Sequence, residues 1–217
     1  MKSTHSTDEF EIELELKHLV DAHYHKPVTA NALSSHCIDQ CYFHSTIVEF
    51  RVDEVPCSIS VAGIELAFEA SEKQRRTLVA ILDQTPDPTV RLRRMGNDWY
   101  FTVKGLSMDE GTLEFEVGLS HEQGVALGVN AYQSLEKTRY MVEEDGYLWE
   151  VDVYLGKLVG LVVAELENRK YEVFPPAVLP IWVGSDVTND FRYKNACLAA
   201  LPSGGLNALL AENSPQP

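Results

Sequence analysis

The chain has 217 residues, 45% of them hydrophobic and 24% charged. That is the balance of a soluble globular protein large enough to bury a core without staples, and no run approaches the roughly 20 apolar residues of a membrane helix. Acidic residues outnumber basic ones, 33 to 18, for a formal charge of −15. This excludes a general nucleic-acid binder, which needs a basic face. It also opposes any anionic ligand unless the basic residues are gathered in one place.

In chain order, residues 10–20 (FEIELELKHLV) alternate polar and apolar and predict a strand. Residues 46–87 read as an insertion of two strands (STIVEFRV and CSISVAGIELAFEA) and a helix, the helix opened at Ser71 by a capping box and running to about Leu82. Strands follow at 89–95, 99–104 and 112–119, the first two joined by a turn through Gly96. A second capping box at Ser120 predicts a helix to about Ser134. Strands are then expected at 148–154 and 158–167, and a short helix at 195–201 ended by Gly204 and Gly205. The tail ENSPQP reads as frayed. Consecutive strands with short turns imply an antiparallel meander. The fold class expected is α+β, mainly β: a closed antiparallel eight-stranded barrel with a charged lumen and helices packed outside, one domain over 1–217.

Side chains at i and i+2 share a strand face. Glu11, Glu13, Glu15 and Lys17 therefore align, as do Arg91 with Arg93, Thr102 with Lys104, and Glu114 with Glu116. Lys137 aligns with Arg139, Glu150 with Asp152, Glu165 with Glu167, and Arg192 with Lys194. The opposite faces carry Ile12, Leu14, Leu16, Leu113, Phe115, Trp149, Val151 and Val153. One such strand would be an ordinary solvated edge. So many strands with both signs on one face predict a polar interior enclosed by an apolar exterior. Lys17, Arg91, Arg93, Arg94, Lys104, Lys137, Arg139, Arg192 and Lys194 make up half of the 18 basic residues, which answers the objection from net charge. Paired carboxylates suit Mg²⁺ or Mn²⁺, and Arg and Lys suit phosphate oxygens. Together they describe a metal–polyphosphate site with no Gly-rich phosphate loop.

Glu13-Leu-Glu15-Leu-Lys17 matches the E-x-E-x-K motif, and the blocks VRLRR (90–94), FTVK (101–104), LEFE (113–116), EKTRY (136–140), WEVDVYLGKL (149–158), VVAELE (162–167) and DVTNDFRYKN (186–195) follow in order. In these blocks the chain resembles the CYTH superfamily of triphosphate tunnel metalloenzymes, and within it the bacterial inorganic triphosphatase branch. The resemblance implies hydrolysis of inorganic triphosphate to diphosphate and phosphate with Mg²⁺ or Mn²⁺. It implies metal-binding carboxylates at Glu13, Glu15, Glu165 and Glu167, with Asp152 counted among them. Glu114 and Glu116 would lie near the metal or the attacking water. Lys17, Arg91, Arg93, Lys104, Lys137, Arg139 and Lys194 would hold phosphates. Tyr42 aligns with a tyrosine that partners the motif lysine, so Lys17 and Tyr42 would position or deprotonate water. The family often has an Arg where this chain has Thr112.

Thiamine or nucleoside triphosphatase and class IV adenylyl cyclase are related readings. A non-catalytic polyphosphate- or nucleotide-binding module is the alternative of a different class, disfavoured by retention of both carboxylate pairs. A small anionic substrate is the expected partner, with no nucleic acid or membrane and with a homodimer possible within the resemblance. His36, Cys37, Cys41 and His44 are zinc-type residues at a spacing that matches no common zinc module. The four cysteines form no paired framework, and the N-terminus MKSTHSTDEF has no apolar signal core. Free thiols and a cytoplasmic location are therefore expected. The insertion at 46–87 is expected to be a structural elaboration rather than a catalytic part.

Overall fold

The computed structural model describes residues 12–13, 15–52, 56–108, 111–167 and 176–212. The protein is α+β and mainly β. In chain order its elements are β1 (Ile12–Glu13), β2 (Glu15–Val20), α1 (His25–Ala30), β3 (Ser34–Phe43), β4 (Val48–Arg51), β5 (Cys57–Val61) and β6 (Ile64–Phe68). Then come α2 (Glu72–Gln84), β7 (Thr89–Met95), β8 (Asp98–Met108), β9 (Gly111–Leu119) and α3 (His121–Gly128). The chain continues through β10 (Gln133–Glu144), β11 (Tyr147–Tyr154), β12 (Val162–Glu167), β13 (Val183–Asp186), α4 (Asn195–Ala200) and α5 (Gly205–Glu212). Two compact units emerge: Met1–Leu14 with Gln40–Gln133, and Glu15–Asp39 with Ser134–Pro217.

In the first unit β1, β9, β8 and β7 pair antiparallel in that order. Alternation gives this sheet one apolar face, where Val90, Leu92, Phe101, Val103 and Phe115 are buried with Leu78 and Ile81 of α2 and Leu127 of α3. Ile59, Val61 and Leu66 of the 46–87 segment join the same core. That segment therefore packs on the apolar face of the sheet. It holds three strands and not the two expected, because Ala62 and Gly63 take φ of 49° and 82° and fold the second predicted strand into the β5–β6 hairpin. Both capping boxes form: Ser71 and Ser120 accept from the backbone N–H groups of Gln74 and Gln123, whose side chains return the bond.

α3 ends at Gly128, short of the predicted Ser134. Asn130 and Ala131 turn back to the carbonyls of Leu127 and Gly128, and Tyr42 O accepts the N–H of Tyr132, so the chain is already extended at Gln133. Within α3, Gly124 lies flat on Trp99; a Cβ there would come within 2.2 Å of the indole.

In the second unit β10, β11, β12, β2 and β13 pair antiparallel in that order. Val142, Trp149, Val151, Val162, Ala164, Leu166 and Val20 fill one face, covered by Val28 of α1 and by Trp182. The strand predicted over 158–167 is shorter. A 3-10 turn at Gly156–Leu158 and a φ of 102° at Gly160 delay it to Val162. The strand predicted over 10–20 is β1 and β2, with residues 10, 11 and 14 outside the described set. Arg192 and Lys194 do not share a strand face: a 3-10 turn at Phe191–Tyr193 carries the first, and the second opens α4. α4 does not run on to Gly204 and Gly205: it ends at Ala200, where Leu201 turns extended ahead of Pro202, and Gly204, at a φ of 85°, instead precedes a further helix, α5, that begins at Gly205. No helix among the described residues is long and apolar enough to cross a membrane.

Candidate active site

In each unit the second face of the strands carries a set of charges, buried for the most part in the second unit and half-buried, Arg91 excepted, in the first. In the second unit Lys17 is 5% exposed, Lys137 1%, Arg139 8%, Asp152 0% and Glu165 4%. A solvated face would show the reverse, so the alternation read from the sequence marks an interior surface with apolar packing on one side and ionic packing on the other.

Register builds the cluster. Arg139 stands opposite Asp152, Glu150 opposite Glu165, and Glu165 opposite Lys17, across four neighbouring strands. Directly opposite side chains lie about 5 Å apart at Cβ, so long charged groups meet. Arg139 grips Asp152 with both arms of its guanidinium, Nε to Oδ1 at 2.8 Å and Nη2 to Oδ2 at 2.7 Å. It also donates to Glu165 Oε2 at 2.6 Å and to Glu150. Lys137 donates to Asp152 Oδ2 as well. Lys17 Nζ lies 3.3 Å from Glu15 Oε1 and 3.0 Å from Glu165 Oε1. Its backbone is fixed as well: its N–H donates to Thr188 Oγ1 at 2.9 Å, and its carbonyl accepts from Val187 N–H at 2.8 Å.

The electrostatics follow from this crowding. Burial pulls the Lys17 pKa down, but Glu165 and Glu15 outweigh it and hold the ammonium above the ordinary lysine value. Burial dominates at Lys137 and lowers its pKa, against the opposing pull of Asp152 and with help from Arg139. Glu165 is driven well below the usual glutamate value; burial alone would raise it, and Lys17, Lys137 and Arg139 reverse the sign. Glu150 is raised, by burial first, and Arg139 only partly offsets it.

The first unit has a matching face. Arg91, Thr102 and Glu116 stand opposite one another across β7, β8 and β9, and Lys104 stands opposite Glu114. Arg91 Nη2 donates to Thr102 Oγ1 at 3.1 Å and reaches Glu116 Oε2 at 3.4 Å and Glu114 Oε1 at 3.5 Å. Arg93 Nη2 donates to both oxygens of Glu116 at 3.0 Å, and its guanidinium lies over the Tyr100 ring, 5.2 Å from the centroid. Lys104 Nζ pairs with Glu114 Oε2 at 2.6 Å.

No family model matches the chain. Over 121 residues it is 38% identical to an inorganic triphosphatase of Acetivibrio thermocellus, a match spanning 54% of this chain and 74% of the relative. Over 121 residues it is 34% identical to an inorganic triphosphatase of Nitrosomonas europaea, spanning 53% of this chain and 78% of the relative. The chain belongs to the inorganic triphosphatase family. Its fold is also similar to the crystal structure of an inorganic triphosphatase, with a TM-score of 0.50 and 23% identity over 89% of this chain and 98% of the other.

In this family member the predicted site residues fall into several groups. Lys17, Glu15, Lys137, Arg139, Asp152 and Glu165 form one connected ionic cluster. Glu167 stands opposite Glu15 at its margin. Arg91, Arg93, Lys104, Glu114 and Glu116 form the other cluster. Lys194 is exposed where α4 begins. Tyr42 is buried, and its hydroxyl donates to Gln40 Oε1 at 2.9 Å. Glu13 lies in β1 opposite Thr112, and its side chain lies outside the described residues.

Sequence reading left Glu150 and Thr102 off the site, although the same alternation that selected Asp152 and Lys104 puts both on the charged faces. For the zinc-type residues, Cys37 is exposed and His44 stacks on Tyr132 with centroids 3.7 Å apart. Among the described residues no three His, Cys, Asp or Glu side chains converge on an ion. The carboxylates of both faces lie against Arg and Lys instead.

Proposed function

We propose that this protein hydrolyses inorganic triphosphate to diphosphate and phosphate with a divalent cation. The observation that carries the reading is the buried Lys17–Glu165–Arg139–Asp152–Lys137 chain of alternating charge. A structural role alone would be served as well by apolar residues, since buried ion pairs gain little net stability. A polyanion gives such a cluster a reason: phosphate oxygens take over the Arg and Lys donors.

The donor set fits Mg²⁺ or Mn²⁺. The available donors are carboxylate oxygens, the ligands of hard cations. Glu165 Oε1 is buried and, among the described residues, meets only the Lys17 ammonium, at 3.0 Å. Glu15, Glu165 and Glu167 would hold the ion together with Glu13. Asp152 has both oxygens on Arg139 and Lys137 and would join only where those cations turn to phosphate. The bound ion would neutralise the phosphate chain and orient it.

Arg139, Lys137, Arg91, Arg93, Lys104 and Lys194 are assigned to binding phosphate. Lys17 is held as a cation by its two carboxylates. We therefore assign it charge stabilisation at the transferred phosphoryl group and not proton abstraction. Water attacks the terminal phosphorus as its bond to the bridging oxygen breaks, and diphosphate leaves with the charge of that bond. Tyr42, Glu114 and Glu116 are assigned to ordering the water and its neighbours. Closure of the strands into an eight-stranded barrel is part of this proposal, as is a reducing, cytoplasmic setting for the four free cysteines.

The test is phosphate release from inorganic triphosphate, ATP and thiamine triphosphate, each with Mg²⁺, Mn²⁺ or EDTA. Metal-dependent release from triphosphate in clear preference to the organic substrates is expected. Equal or faster release from an organic triphosphate would refute the substrate assignment, and full activity in EDTA would refute the metal.

A further inference from the structure

We infer that Thr102 is a positioning residue, whose hydroxyl sets the phosphate-gripping geometry of the first unit. This rests on the triphosphatase reading. Thr102 is fully buried and sits in the middle strand of a three-residue row, with Arg91 opposite on one side and Glu116 on the other. Its one proton goes to Glu116 Oε2 at 2.8 Å, and its lone pair accepts from Arg91 Nη2 at 3.1 Å. The direct Arg91–Glu116 contact is longer, 3.4 Å, and marginal as a hydrogen bond. The hydroxyl therefore does the work of a spacer. It keeps the arginine and the glutamate from collapsing into a closed two-armed pair, and it steadies Glu116 so that Arg93 Nη2 addresses both of its oxygens at 3.0 Å.

Two consequences serve an anion. The contacts of Arg91 Nη2 with Thr102, Glu116 and Glu114 are 3.1–3.5 Å long, lengths at which a phosphate oxygen competes with them. Arg93 Nε is buried and has no hydrogen-bond partner among the described residues, a donor left for a ligand oxygen. A valine in place of Thr102 has the same shape and a good strand propensity, but it has neither the proton nor the lone pair. Arg91 and Glu116 would then close on each other, and the pair would have to be broken before phosphate could bind.

The experiment compares wild type with Thr102→Val, Thr102→Ser and Thr102→Ala. It measures KM and kcat for triphosphate, the Kd of a non-hydrolysable imido analogue of triphosphate by calorimetry, and Tm. Thr102→Val is expected to raise KM and the analogue Kd by roughly tenfold, as fits loss of a hydrogen bond between charged partners, with kcat changed less. Thr102→Ser should restore both to within about threefold, because it keeps the proton and the lone pair. Thr102→Ala should bind as poorly as the valine variant, which covers the case of a misfolded valine variant. A Tm loss in the valine or alanine variant with KM and Kd unchanged would overturn the inference and leave a structural threonine. If wild type binds the analogue but releases no phosphate, the triphosphatase reading fails while the Kd comparison still decides the role of Thr102. If wild type does not bind the analogue, both are refuted.

Discussion

Replacing Asp152 by Asn would test the ionic core at its most enclosed point. Asp152 has no exposed surface and takes two bonds from Arg139 and one from Lys137, itself 1% exposed. Asn keeps the shape but removes the charge, leaving one acceptor oxygen at this position for Lys137 and Arg139, the latter still bonded to Glu165 and Glu150. Breaking a buried pair in this way costs about 3–5 kcal/mol, a large share of a total stability of roughly 5–15 kcal/mol. In a chain of this size that corresponds to a Tm loss of very roughly 6–20 °C.

The pH dependence has a definite sign. Lys137 already has a lowered pKa in the folded state, from burial above all, and Asp152 is the main group opposing the shift. Without Asp152 the folded pKa drops further below the unfolded value. Between those two values the unfolded chain binds the extra proton, so stability rises with pH. Urea unfolding in EDTA from pH 6 to 9.5 should show the variant losing most at the acid end and recovering towards the alkaline end, relative to wild type. A loss under about 1 kcal/mol at pH 6, or a difference that does not depend on pH, would refute the buried Asp152–Arg139–Lys137 arrangement.

Two further outcomes are expected. Lys17→Met should lower kcat/KM for triphosphate by at least about 10²-fold while leaving the circular dichroism spectrum unchanged, because Glu165 keeps its bond to Arg139; near-normal turnover would remove Lys17 from the site. Gly124→Ala should destabilise the protein by about 1–3 kcal/mol in thermal melts, although alanine is the better helix former, because its Cβ would meet the Trp99 ring at 2.2 Å; a stabilised variant would show that α3 shifts freely on the sheet.

What the sequence showed best was alternation. The strands at β7, β8, β9 and β11 and the charged faces they carry were legible because each places formal charge and bulky apolar groups at period two. The two capping boxes were legible for a similar reason, a local pattern with a local partner. β3 was only partly legible: SSHCIDQCYF has no clean alternation, and its burial begins at Ile38. The β5–β6 hairpin hid because Ala62, an unusual residue at positive φ, occupies its turn. The delay of β12 to Val162 hid behind an apolar run that also suits a strand. In the site, residue types were readable but partners were not. Nothing in the spacing says that Arg139 bridges three carboxylates on two strands, or that Thr102 stands between Arg91 and Glu116. Those depend on register between distant segments.

The β10–β11–β12–β2 sheet is enclosed on both faces by materials that do not mix, hydrocarbon on one and paired ions on the other. Because side chains alternate with a period of two, sliding any of these strands by a single residue would exchange the materials. Trp149 and Val151 would land among the cations, and Glu150 and Asp152 among the indoles. An ordinary surface sheet suffers such an error on one face and can survive with an exposed leucine. Here an error is penalised twice, so the charges assigned to the ligand also proofread the assembly of the strands. New charges can therefore be added to this protein only in steps of two along a strand, and the room for altering its substrate is set by that spacing.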